Sequence, residues 1–196
     1  MKQHNDDPKQ RLIDTASDLL RRRGLNSTSI RELAKHANAP LGSTYHYFPG
    51  GKPQLIGIAV TQTGQRIGKL LSKALAAGPV AGLEAFLAQW RSVLLQGEFK
   101  AGCPVIAVAS DDSSAEGEGV PLAAAAEVLQ SWVRLISDRL RERGQKEEEA
   151  MATATLIVAA VEGGILLCRA EQSITPFDRV AKLLIQQLKQ QMSEQA

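Results

Sequence analysis

Apolar positions recur at helical spacing along nearly the whole chain, and no segment alternates in the manner of a strand. In the first stretch Leu12, Ala16, Leu19 and Arg23 share one side, with Ile13 and Leu20 beside them. Asp7 suits the cap of that helix, Pro8 its first position, and Gly24 its stop. Ser29-Ile30-Arg31-Glu32 then reads as a capping box opening a shorter helix that carries Ile30, Leu33, Ala34 and Ala37. Asn38-Ala39-Pro40 ends it, because Asn tolerates a left-handed backbone and Pro cannot continue the ladder. A third short helix is expected from about Leu41 to Phe48, closed by Pro49-Gly50-Gly51.

Beyond Lys52-Pro53 a long apolar pattern reaches Ala76, interrupted by Gly57, Gly64 and Gly68, and Gly78-Pro79 breaks it. Further helices are expected over 81–95, 105–109, 122–143, 147–169 and 177–192, with a polar, mobile loop over Ser110–Gly119. The expected fold is all-α, about nine helices. An N-terminal three-helix domain over 1–52 carries a helix-turn-helix, and a helical bundle fills 53–196.

Composition narrows the function. The 196 residues are 44% hydrophobic and 22% charged, in the range of soluble globular chains. No continuous apolar run approaches the ~20 residues of a membrane span, and no apolar leader opens the chain, so a cytoplasmic location is expected. The net charge of +2 is uneven. Residues 1–55 hold nine Lys/Arg against five Asp/Glu, leaving 14 against 16 for the remainder. A small basic module joined to a slightly acidic one suits either a polyanion partner or a solvated basic surface. Arg21-Arg22-Arg23 fits the same two descriptions. Two cysteines, Cys103 and Cys168, make no disulfide scaffold; they read as small buried hydrophobes or as redox-sensitive thiols. His36 and His46 lack a third metal ligand, and no histidine after His46 is available as a catalytic base. No catalytic residue, metal or cofactor is expected, and the chain does not read as an enzyme.

Two short helices joined by a tight turn form a helix-turn-helix, whose second helix lies in the DNA major groove. Ala34 is small where the helices cross, and Asn38 accepts the turn's positive φ. Gly42 permits close approach to a duplex, Ser43, Thr44, Tyr45 and His46 offer hydrogen-bonding groups, and Phe48 anchors the helix to the core.

The run Thr28-Ser29-Ile30-Arg31-Glu32-Leu33-Ala34, followed by Gly42-Ser43-Thr44-Tyr45-His46-Tyr47-Phe48 and Lys52, resembles the N-terminal domain of the tetracycline-repressor (TetR) family of bacterial transcription regulators. Downstream, Gly102-Cys103-Pro104-Val105, Glu162-Gly163-Gly164, Arg169-Ala170 and Pro176-Phe177-Asp178 resemble its LmrA/YxaF-like branch. Asn38 stands where the family usually has Gly, and Thr44 where it usually has an apolar residue. Thr44 therefore either packs through its methyl group or offers its hydroxyl to DNA. The resemblance implies that Thr28 and Lys52 hold phosphates, that Leu41, Gly42, Ser43, Tyr45 and His46 approach the groove, and that Tyr47 lies near the DNA backbone.

In the second domain Phe86, Trp90 and Leu94 fall on one helical face, and Trp132, Leu135 and Ile136 on another. They read as core, or as pocket walls. The resemblance implies a pocket for a small apolar or aromatic effector, with Phe86, Trp90, Leu94, Cys103, Trp132 and Ile136 as candidate lining. Because one helix-turn-helix reads only a few base pairs, a homodimer on a palindromic operator is expected. Its four-helix interface would use Leu156, Ala160, Gly163, Gly164, Leu167, Val180, Leu184 and Leu188. The expected activity is ligand-responsive repression; a dimeric regulator without small-molecule input is the alternative.

Overall fold

The computed structural model describes residues 7–112 and 119–193; the rest of the expected loop, 113–118, lies outside them. Among the described residues there are nine helices and no strand. The chain divides into two compact units, one formed by residues up to Gly64 together with Cys103–Val128, the other by Gln65–Gly102 and the chain from Leu129. The division expected at 52 and 53 lies in the first turn of the fourth helix, which contributes to both units.

In the first unit α1 (Pro8–Arg23) begins as its sequence requires, with the Asp7 carboxylate accepting the Lys9 N–H at 2.9 Å. It ends at Gly24, at φ 79°, and buries Leu12, Ile13, Ala16, Leu19 and Leu20. The short α2 (Ile30–His36) opens on a complete capping box. Asn38 takes φ 50°, so the turn before α3 (Leu41–Tyr47) uses the left-handed backbone that asparagine tolerates.

The first part of α4 (Gly51–Leu75) supplies Leu55, Ile56, Ala59 and Val60, all 0% exposed. The helix runs unbroken through its glycines. A Cβ at Gly64 would stand 2.4 Å from the Val128 methyls, so this glycine makes room for the first half of α7 (Val120–Arg141). The short α6 (Pro104–Ala109) packs against α1.

In the second unit α5 (Pro79–Gln96) starts two residues earlier than expected because Pro79 serves as a first-turn proline. Both α5 and α8 (Glu147–Glu171) pack on α9 (Thr175–Ser193). The Arg91 guanidinium grips the Asp178 carboxylate in two hydrogen bonds of 2.8 and 3.2 Å. Lys189 pairs with Glu84 at 2.8 Å, a second tie between α9 and α5. Although no continuous apolar run is long, α8 as a whole passes a membrane test of length and composition, with mean hydropathy 1.9 over its best window. Its Ala154, Ile157, Val161 and Ile165 are instead buried in the bundle, and Glu162 interrupts the apolar run.

Candidate DNA interface and effector cavity

The recognition element is small and held from beneath. Ser29 and Glu32 fix the start of α2: the Ser29 N–H donates to the Glu32 carboxylate at 3.1 Å, and the Glu32 N–H donates to the Ser29 hydroxyl at 3.2 Å. The Ser29 N–H, and the Ser29 hydroxyl that also donates to this carboxylate at 3.2 Å, hold the Glu32 carboxyl below the usual carboxylate range. Leu33 and Phe48, at 0% exposure, seat α2 and the end of α3 in the core.

The face of α3 turned away from this core carries Leu41, 38% exposed, and Tyr45, 49% exposed. Gly42 and His46 are exposed with them, while Ser43 and Tyr47 are half-buried. An added Cβ at Gly42 would meet nothing within 4 Å. Neither backbone strain nor internal packing therefore explains a glycine there. The His46 and Tyr47 rings meet edge-on at 5.6 Å, and Tyr47 meets Phe48 edge-on at 6.5 Å.

Two candidates point elsewhere. Thr28 is 1% exposed and its hydroxyl donates to the Gly24 carbonyl at 2.8 Å, closing the turn after α1. Thr44 is 0% exposed, with its hydroxyl 3.3 Å from the Pro40 carbonyl; it packs, filling the place of an apolar residue. Lys52 is half-buried and its ammonium donates to the Leu25 carbonyl at 3.1 Å, which leaves further donors on the same nitrogen. In the arginine run, Asp18 hydrogen-bonds to Arg21 and Arg22. Partial burial raises its pKa, but those bonds outweigh it and hold the carboxyl below its ordinary value. The three arginines are thus partly a neutralised helix end.

In the second unit Phe86, Trp90, Trp132 and Ile136 line one cavity together with Ile67, Leu71, Ile157, Val158, Val161 and Glu162. Its volume is about 20 Å³, close to one water molecule. Leu94, 1% exposed, is buried away from it, and Cys103, 4% exposed, opens α6 in the first unit. Burial pushes the Cys168 thiol up, which opposes thiolate chemistry. Six lining residues were not among the candidates, Ile67, Leu71, Ile157, Val158, Val161 and Glu162, and of these Glu162, 6% exposed, is the ionisable one. Its signal was a single carboxylate within the apolar run of α8. Among the described residues no cluster of three or more His, Cys, Asp or Glu is arranged for a metal.

The expected dimer residues separate into two sets. Gly164 packs within the chain, its added Cβ falling 3.4 Å from Phe177, and Leu184 and Leu188 are buried at 6% and 2%. Val180 packs beside Gly164 and is half-buried. Leu156 at 45% and Leu167 at 50% are exposed, joined by Leu166 at 50% and Leu183 at 65%. Ala160 and Gly163 lie between these extremes, and Gly163 has open space where a side chain would stand.

Residues 12–57 match the family model for bacterial regulatory proteins of the tetR family, and residues 79–183 match that of the C-terminal domain of LmrA/YxaF-like transcriptional regulators. The uncharacterized HTH-type regulator Rv0196 of Mycobacterium tuberculosis is 36% identical over 90% of this chain and 92% of its own. YxaF of Bacillus subtilis, likewise an HTH-type regulator, is 32% identical over 90% of this chain and 92% of its own. A TetR transcriptional regulator from Legionella pneumophila has the same fold, with TM-score 0.83 at 22% identity over 95% of this chain and 99% of its own. The chain is therefore a DNA-binding transcriptional regulator, not an enzyme, and belongs to the LmrA/YxaF-like branch of the TetR family.

Proposed function

We propose that the chain acts in the cytoplasm as a homodimeric repressor that leaves a palindromic operator when a small apolar or aromatic effector binds its second unit. The observation carrying the DNA-reading part is the outward face of α3, where Gly42 has open space and Tyr45 is 49% exposed above a buried Phe48. Leu41, Gly42, Ser43, Tyr45 and His46 would meet the groove, with Tyr47 and Lys52 on the backbone. Thr28 and Thr44 would shape the element without touching DNA. The reading domain is taken as 1–52 and the regulatory domain as 53–196.

The exposed leucines of α8 and α9, beside Gly163, support pairing of two copies, which presents two α3 helices to one duplex. An effector lowers operator affinity only by favouring a conformation in which those helices are wrongly spaced. A tenfold loss requires about 1.4 kcal/mol of such coupling. A second reading, regulation by dimerisation without a small molecule, is favoured by the cavity's volume of about 20 Å³. Titrating apolar aromatic compounds into an operator mobility-shift assay separates the two. Release of DNA supports the first reading, and an unchanged shift across a chemically varied panel supports the second.

A further inference from the structure

The effector cavity is apolar except at one point. Phe86, Trp90, Trp132, Ile136 and Val161 form walls around Glu162, the one ionisable residue of the lining. Glu162 places a carboxylate, 6% exposed, at a core position of α8, where a charge is screened less than it is in water. It is a good choice for meeting a positive charge in a place without water. Indole faces do the same, tryptophan being the best aromatic partner of an organic cation. Both tryptophans of the chain are on this lining.

We infer that the cavity is a site for hydrophobic organic cations, with Glu162 as counter-ion and Trp90 and Trp132 as aromatic walls. This rests on the reading of the second unit as effector-responsive and names the chemical class of effector. At about 20 Å³ the closed cavity holds no such molecule, so binding displaces a wall. Trp90, half-buried while Phe86 and Trp132 are buried, is the aromatic wall nearest solvent. The ligand is an aromatic or short alkyl body bearing a quaternary or tertiary ammonium.

Tryptophan fluorescence reads this cavity directly, because no other tryptophan contributes. Benzyltrimethylammonium and its neutral isostere neopentylbenzene are titrated separately into the full-length protein. The ammonium is expected to give a saturable change with a Kd at least tenfold below that of the isostere. Glu162→Gln is expected to abolish this preference while keeping helical content and unfolding midpoint. Equal binding of the two compounds in the unaltered protein, or binding by neither, overturns the inference without needing the variant. So does a cation preference that survives Glu162→Gln. A parallel operator mobility-shift assay keeps the two claims apart: neutral compounds that release DNA leave the effector reading standing while the charge selectivity falls.

Discussion

Gly42 lies near the start of α3, where its backbone is helical and no neighbour stands near an added side chain. In the free protein a helix gains from replacing glycine, so Gly42→Ala should raise stability by a few tenths to about 1 kcal/mol. On DNA the methyl group occupies the space of close approach, and operator affinity should fall tenfold or more. Thermal unfolding and a binding titration on the same sample check the two opposite signs. The residue types of α3 were legible in sequence because exposed polar and aromatic groups on a short helix have few other uses. What was not legible is which hydroxyls turn inward. Thr28 and Thr44 are each satisfied by a carbonyl four residues earlier, at Gly24 and Pro40, and only the folded backbone shows that pairing.

Among the elements, α2 depends on local chemistry, since its seven residues form only two turns. Ser29→Ala removes the acceptor of the Glu32 N–H and should cost about 1 kcal/mol, read as a lower urea midpoint at unchanged m. The box also predicts a pH response. The folded Glu32 carboxyl has a pKa below its unfolded value, so its contribution is present above the unfolded pKa and lost as pH falls through the folded one. Between pH 5 and pH 3 the native protein should therefore lose more stability than Glu32→Gln does, measured by urea unfolding at each pH. For α4 the sequence showed an apolar pattern interrupted at Gly64, whereas the helix is continuous and the glycine receives Val128. One chain pattern cannot distinguish a weak helical residue from one that makes room for another helix. Gly64→Ala should destabilise by about 1–3 kcal/mol, with partial recovery in the double variant with Val128→Ala. Additive losses would show that the two do not meet.

For the whole molecule, helix number and order followed from periodicity and caps, while the inward and outward faces of α8 did not. That helix is apolar on both sides: Ile157, Val161 and Ile165 enter the protein's own core, and Leu156, Leu166 and Leu167 stand exposed. Hydrophobic spacing alone assigned Gly164, Leu184 and Leu188 to a partner, yet they pack at home. The exposed leucines lead to a specific expectation. Leu167→Glu combined with Leu183→Glu should give a folded monomer in sedimentation velocity at micromolar concentration, with operator affinity reduced at least a hundredfold. A dimer of unchanged affinity would move the interface elsewhere.

Whether α3 reads duplex DNA from a paired molecule is decided by selecting bound fragments from a pool of random duplexes, with Tyr45→Ala in parallel. We expect enrichment of one pseudo-palindrome whose half-site centres lie about 34–36 Å apart or a near multiple, and loss of that enrichment in Tyr45→Ala. An unselective pool from the unaltered protein, or the same palindrome recovered equally well by Tyr45→Ala, would contradict this expectation.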